Sequence, residues 1–221
     1  MKDLPDDYFN FIASIGPYNC QQTFSECFSL RKLPTSFCDL VETYSSASGY
    51  HVYNKMIYQC YCLDEVVNLG VCNKVPLTDR FFYDAFRGCN RLKKFTFKPG
   101  KIARWKQELL DFSPAGWGSS CKNFLEDNSK QVTDDVTYQL YKNDPDWWTS
   151  NIPYSRYNHD SAVETINSLP DTSEYLATAG GTNTIKFRGA AGEKTDGGAI
   201  NTLTDSEIAV ATAKGWTVTL I

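Results

Sequence analysis

Ala85-Phe86-Arg87-Gly88-Cys89-Asn90-Arg91-Leu92-Lys93-Lys94-Phe95 is the stretch from which the fold is read. Its skeleton is a large apolar residue, two residues, Cys, two residues, Leu, two residues and another large apolar residue. The same skeleton occurs in Phe24-Ser25-Glu26-Cys27-Phe28-Ser29-Leu30-Arg31-Lys32-Leu33 and in Ile57-Tyr58-Gln59-Cys60-Tyr61-Cys62-Leu63-Asp64-Glu65-Val66. The three aligned cysteines stand 33 and 29 residues apart. Self-similarity at a period of about 20–50 residues is the mark of a solenoid. Apolar residues three apart, such as Phe24, Cys27 and Leu30, line one side of a tight helical turn. After the Leu the chain extends, and Phe95-Thr96-Phe97 shows the period of two of a short strand. Such a unit is too small to bury its own face, so it must stack on its neighbours. Leu30, Leu63 and Leu92 are therefore expected to be buried in register, beside Cys27, Cys60 and Cys89. Consecutive strands are expected to form a short parallel sheet, with Arg31, Lys32, Asp64, Glu65, Lys93, Lys94 and Thr96 pointing outward.

A second pattern begins near residue 157. Ser161 to Glu164 has the spacing of a capping box, and Val163, Ile166 and Leu169 continue an apolar helical face before Pro170. A Gly- and Thr-rich loop follows, then the alternating strand Thr184-Ile185-Lys186-Phe187. Thr204 to Glu207 is again a capping box, opening a helix through Ile208, Val210 and Ala211 that Gly215 can end as a left-handed C-cap. Trp216-Thr217-Val218-Thr219-Leu220 reads as the closing strand. Between the two patterns, residues 98–156 are the least regular. Ile102, Trp105, Leu109 and Phe112 fall at helical spacing, yet Leu110-Asp111-Phe112 equally suits a strand, which is the reading favoured. A short helix is expected from Thr133, and Pro145 breaks the chain before Trp147 and Trp148.

The apolar-x-x-Cys-x-x-Leu-x-x-apolar motif resembles the BspA-like, or Treponema-type, leucine-rich repeats. The three good matches cover roughly residues 20–97. Their spacing exceeds the tight repeat of that family, which implies inserted loops. Tyr154 to Pro170 and Ile208 to Val218 resemble the end module of BspA-like proteins of gut Bacteroidota and of the tail and virion proteins of their phages. The resemblance implies an α/β fold: an irregular leucine-rich-repeat solenoid of short parallel strands with helical turns, closed by a helix-strand C-terminal cap. It implies a binding or structural role and carries no catalytic residues. The expected organisation is an N-terminal helix and repeats over 1–97, an irregular inserted segment over 98–156, and helix-strand repeats with the cap over 157–221.

Composition bounds the function. Of 221 residues, 42% are hydrophobic and 22% charged, as in an ordinary globular chain, and 14% are aromatic with only 2 Met. The core or a binding face is therefore built from Phe, Tyr and Trp. A formal net charge of -4 gives no whole-chain case for binding nucleic acid or an anionic membrane. Met1 to Asp7 is polar and acidic rather than signal-like, and no apolar run approaches the ~18 residues of a membrane span. The expected location is cytoplasmic synthesis without a signal peptide, then association with a virion, or the cell surface if the chain is a fragment.

Little in the sequence suggests catalysis. His51 and His159 are the only histidines, and no nucleophile elbow, phosphate loop or zinc-protease motif is present. Each histidine is read as structural, in a loop and before a helix cap. Cys60, Cys62 and Cys72 lack the second ligand pair of a zinc site, so no metal or cofactor is assigned. The cysteines are expected to be reduced, although stacked repeats leave a Cys27–Cys60 or Cys60–Cys89 disulfide conceivable. Asp134-Asp135 and Asp144-Pro145-Asp146 lack the pattern of a calcium loop and are read as solvated acids.

Two functions stay open. One is a non-catalytic recognition or structural module for a protein partner or cell-surface ligand, part of a larger assembly such as a phage virion or tail, or a bacterial surface adhesin. The alternative is a carbohydrate-binding module or a component of a carbohydrate-active enzyme. Trp117, Trp147, Trp148 and Tyr154 are the candidate partner-binding residues, because large amphipathic side chains dominate interface energetics.

Overall fold

The computed structural model describes residues 4–10, 20–27, 30–43, 52–73, 81–113, 157–187 and 203–220. Within them the three aligned stretches share one backbone pattern. The carbonyls of Phe24, Ile57 and Phe86 accept from the N–H groups of Cys27, Cys60 and Cys89, at 3.1, 3.3 and 3.3 Å. The cysteine carbonyls in turn accept from Leu30, Leu63 and Leu92, at 3.0, 3.0 and 2.9 Å. In each stretch the residues five and one before the Cys are left-handed: Gln22 and Glu26, Lys55 and Gln59, Asp84 and Gly88. Only one of these six is glycine, and each of the others costs about 1–2 kcal/mol of backbone strain. What offsets it is a ladder between stretches. Phe24 and Glu26 donate to the carbonyls of Met56 and Tyr58, and Lys55, Ile57 and Gln59 donate to Tyr83, Ala85 and Arg87.

The cysteines lock this stacking. Cys60 Sγ donates to the Phe24 carbonyl at 2.9 Å, and Cys89 Sγ to the Ile57 carbonyl at 3.1 Å. Each thiol thus bonds the equivalent position of the preceding stretch. A carbonyl engaged in the turn has a second lone pair, and a small weak donor can reach it. Leu30, Leu63 and Leu92 are all buried, as the spacing requires, while Cys27, first in its row, is only half-buried.

The chain then extends as expected. Asp64 donates to the Arg31 carbonyl and Lys93 to the Asp64 carbonyl, and Lys32 forms a parallel bridge with Glu65. Strands β1 (Glu65–Leu69) and β2 (Lys94–Phe97) pair in parallel, Glu65 opposite Lys94 and Val66 opposite Phe95. Period two fails in β1, where a bulge lies between Val66 and Leu69 and Asn68 takes φ 56°. Helix α1 (Thr35–Leu40), unforeseen in the sequence, and the 3-10 turn Val41–Thr43 follow the first stretch. Gly70 passes so close to them that a Cβ there would stand 2.6 Å from the Cys38 carbonyl oxygen.

The C-terminal elements form a second parallel sheet, β3 (Leu109–Asp111), β4 (Asn183–Phe187) and β5 (Trp216–Leu220), in chain order. The strand reading of residues 110–112 therefore holds for β3, and no helix spans Ile102 to Phe112. Before β3, the buried Glu108 carboxylate accepts from the N–H groups of Phe81 and Phe82 at 2.8 and 2.9 Å, tying the third turn stretch to this sheet.

Three helices complete this half: α2 (His159–Ser168), α3 (Ser173–Ala179) and α4 (Asp205–Ala213). α2 is capped by Asn158, whose side chain accepts from Ser161 N–H, and not by Ser161 as the spacing had suggested. Ser161 is one turn inside, where it joins a stripe that replaces a strand along the open edge of β2. Ser161 Oγ donates to the Lys93 carbonyl at 2.5 Å and Thr165 Oγ1 to the Phe95 carbonyl at 2.7 Å, while Ser168 Oγ accepts from Phe97 N–H at 3.1 Å. Spacings of four and three residues on the helix track two-residue steps on the strand. Thr96, expected to point outward, is instead buried, its hydroxyl accepting from the Asn68 N–H at 3.0 Å. α3 occupies part of the expected Gly- and Thr-rich loop. The Thr204–Glu207 capping box of α4 is as expected, and Gly215 ends that helix at φ 84°. A Cβ on Gly215 would lie 2.7 Å from Thr172 Oγ1.

Aromatic rings make the core. Phe24, Phe37, Tyr53, Phe82, Trp105 and Trp216 run in sequential contact from the first stretch to the last strand. Phe112 stacks on Phe86, Tyr157 and Phe187 beside that line. No helix among the described residues is long and apolar enough to cross a membrane.

Candidate binding groove

The β1 bulge has a consequence at the surface. It turns Asn68 outward beside Val67, which alternation already faces out, and both are exposed. They form one wall of a groove whose floor is Thr96 and Phe97 of β2 and whose other wall is the last turn of α2, with Asn167 and Ser168. Pro99, Gly100, Lys101 and Ile102 close one end. The cavity is about 610 Å³, within the about 300–1,000 Å³ of sites that hold small ligands or anchor side chains. Val67 and Ile102 are two of the five large hydrophobic residues exposed among those described, and Ile102 is 59% exposed.

The charges around the groove are engaged with one another. Lys94 Nζ lies 3.0 Å from Glu164, and Lys101 Nζ lies 3.6 Å from Glu42. Just outside, Lys98 Nζ lies between Asp39 at 2.7 Å and Glu42 at 3.1 Å. Burial opposes the Lys98 ammonium, but the two carboxylates together hold its pKa above the ordinary lysine value. Lys214 donates to the carbonyls of Ile166 and Asn167 at 3.2 and 2.6 Å, a cation at the negative end of α2. Burial lowers its pKa. Asp171 accepts from the Ser173 hydroxyl and N–H, which hold its carboxyl below the ordinary range.

The buried thiols and His159 are engaged structurally. Burial pushes the thiol of Cys20 up to about 11 and that of Cys89 up to about 12. Burial, helped by Asp39, also takes Cys38 to about 12. Cys60 lies well above its ordinary value through burial, with Cys89 and Cys27 adding to it. A thiol nucleophile needs the opposite shift. His159, the first residue of α2, lies 3.2 Å from Asp160 through Nδ1 and 3.2 Å from Glu207 of α4 through Nε2. The hydrogen bond to Asp160, followed by that to Glu207, raises its pKa. It is a clasp between two helices.

The described cysteines are free thiols, and Cys60, the first member of the zinc trio weighed above, spends its Sγ on the Phe24 carbonyl. Among the described residues no group of three or more His, Cys, Asp and Glu is placed to hold a metal ion. Trp117, Trp147, Trp148 and Tyr154 lie outside the described residues, as do His51, Cys121, Thr133, Asp134, Asp135, Asp144 and Asp146. The groove residues Asn68 and Asn167 were not singled out by the sequence, and Ile102 was read only as one of a helically spaced apolar set. One signal was available: adjacent Val66 and Val67 cannot both face inward in a strand of period two. No protein-family model, curated protein or solved structure matches the chain.

Proposed function

We propose that the chain is a non-catalytic recognition or structural module, an irregular BspA-like leucine-rich-repeat solenoid with a helix-strand cap, that makes protein–protein or surface contacts. The observation that carries the reading is the threefold turn, with left-handed residues at the same two positions and a cysteine thiol bonded one stretch back. A stack of this kind spends its buried polar groups on its own neighbours and leaves an extended outer face for partners. The neutral thiols and the clasped His159 fit a role without acid–base or nucleophilic chemistry. Free, buried thiols also suit a chain that folds in a reducing compartment. That favours a virion or tail component assembled in the cytoplasm over a secreted adhesin.

The test is site-specific photo-cross-linking of the full chain in its native host. A photoreactive side chain at Val67 or Lys93, on the strand face, is expected to give one discrete protein adduct. The same group at Ser206, on α4, is expected to give none. Equal labelling from all positions, or hydrolysis of a glycan panel by the purified chain, would overturn the reading.

A further inference from the structure

The two sheets differ in how their outer edges are covered. Along β2 the open edge is taken up by the hydroxyl stripe of α2. β5 is the last strand of its sheet, and among the described residues its backbone pairs with β4 alone. A free strand edge is a row of unpaired N–H and C=O groups, which monomeric proteins guard with Lys, Pro, a bulge or a very short strand. β5 has none of these guards. Trp216-Thr217-Val218-Thr219-Leu220 carries no charge and no Pro, and it pairs with β4 in unbroken register from end to end.

The core-facing row also runs out uncovered at this edge. Trp216, Val218 and Leu220 lie opposite Asn183, Ile185 and Phe187, which are completely buried. Along β5 burial declines instead: Trp216 is buried, Val218 half-buried and Leu220 37% exposed. An occupant of this edge must therefore supply both backbone partners and apolar side chains on one face.

The strand itself selects the occupant. Read in either direction, β5 is large apolar, Thr, Val, Thr, large apolar. An antiparallel pair of two copies, about a two-fold axis at Val218, sets Val218 against Val218, Thr217 against Thr219 and Trp216 against Leu220. Both faces then match, apolar against apolar on the core side and hydroxyl against hydroxyl on the other. Cross-strand pairs of these kinds are favourable, and a two-fold interface demands such self-complementarity. Lys186, the one charged residue of β4, lies opposite Thr219. The two copies' lysines would stand at least three strand spacings apart, over about 14 Å at ~4.8 Å per strand. That is beyond the Debye length of about 8 Å at physiological salt.

We propose that the chain self-associates through β5, two copies pairing antiparallel about Val218 so that their sheets join into one. The pairing surface lies on a different sheet from β1 and β2 and does not rest on the recognition reading above. A contact made by one short strand falls at the small end of interface sizes, so the pair is weak.

Sedimentation velocity of the full chain, in a concentration series reaching several hundred micromolar, reads the association. The unaltered chain is compared with three variants, each checked for fold by circular dichroism. The first combines Thr217→Lys with Thr219→Lys, which sets like charges opposite one another across the pair. The second combines Thr217→Lys with Thr219→Glu, which sets opposite charges there. The third is Thr178→Lys, at an exposed position of α3. The first variant also brings the formal net charge of -4 closer to zero, so a loss of association in it is local repulsion. The expected result is a monomer–dimer equilibrium in the unaltered chain. Its Kd should rise at least about tenfold in the first variant, stay close to the unaltered value in the second and be unchanged in the third. In the unaltered chain, hydrogen exchange at residues 216–220 should slow as concentration rises, while that at 94–97 should not, which tests the surface without any substitution. Four results overturn the proposal: a chain that stays monomeric throughout the series, a dimer indifferent to the first variant, a second variant as weak as the first, or exchange at 216–220 that ignores concentration.

Discussion

Cys60 bonds a carbonyl 36 residues back along the chain, whereas Thr204 caps its own helix at Glu207, three residues on. The contrast runs through the molecule. In the turn stretches from 20 to 92, the left-handed Gln22, Glu26, Lys55 and Gln59 donate to the following stretch, and the Cys60 and Cys89 thiols bond the preceding one. In the elements from 157 to 220, the helices are closed by local devices: Asn158 on α2, a capping box on α4, and Gly215 after it. Damage in the first region should therefore spread to adjacent stretches, and damage in the second should stay near its site.

Alkali gives the widest separation between the two regions. All 8 cysteines precede residue 122, and an unfolded thiol titrates near ~8.5. The folded values of Cys38 and Cys89 are about 12, and that of Cys60 is also raised. The native state keeps its thiol protons where the unfolded chain loses them. Stability is therefore fully present below pH ~8.5 and is lost as pH rises toward the folded values, at about 1.4 kcal/mol per pH unit for each thiol. For these three, the step from pH 8.5 to 9.5, which starts with half the unfolded thiols ionised, amounts to about 3 kcal/mol. Tyr157, a buried phenol whose pKa is also raised, enters only above its unfolded value of ~10. Denaturant unfolding at pH 7.5, 8.5 and 9.5, with pulse proteolysis mapped by mass spectrometry, is expected to show the drop, with cuts in 52–73 preceding cuts in 157–187. Flat stability across that range breaks the comparison.

Much of this contrast was legible in the sequence. The Cys and Leu positions were, because a thrice-repeated spacing of buried residues has few geometric solutions. β4, β5, the α4 capping box and Gly215 were, because caps and alternation are local signals. The left-handed backbone at Gln22, Glu26, Lys55, Gln59 and Asp84 was not, since those residue types do not favour it and only stacking enforces it. The hydroxyl stripe of α2 was misread for a related reason: Ser161 has the side chain of an N-cap, and its partner, the Lys93 carbonyl, is 68 residues away. The groove was hidden because a β-bulge leaves no residue signature of its own. The Val66-Val67 pair hinted at it, but Ile102 reads as one more core residue until Asp171 is seen to bridge it from the second half of the chain.

Leu63→Ala sharpens the comparison within the stack. Leu63 is completely buried in the middle stretch, and truncating a leucine there costs about 2–5 kcal/mol. Leu30→Ala, in the outermost stretch, should cost less, because fewer neighbours depend on it. Equilibrium urea unfolding of both variants checks the order. Equal costs would mean that the stretches do not act on one another.

The smallest expected effect lies in the second region and tests whether its contacts are as local as the caps suggest. His159 joins α2 to Glu207 of α4 at 3.2 Å, across the exposed side of the two helices. Its folded pKa is raised by Asp160 and Glu207. The stabilisation is therefore fully present below the unfolded value of ~6.5 and fades as pH rises through the folded value above it. Partly exposed ion pairs are worth at most about 1 kcal/mol and weaken with salt. His159→Gln should thus lower stability slightly at pH 5.5 and leave it unchanged at pH 8.5, with 0.5 M salt erasing the difference. Glu207→Gln should lose more at both pH values, because the same carboxylate accepts from the Thr204 N–H in the capping box. The chain has only 2 histidines, so an NMR titration of the imidazole protons reads the shift directly, with His159→Gln assigning the signal. A His159 resonance that titrates at or below ~6.5 would remove the clasp and leave α2 and α4 joined by apolar packing and by Lys214 on the Ile166 and Asn167 carbonyls.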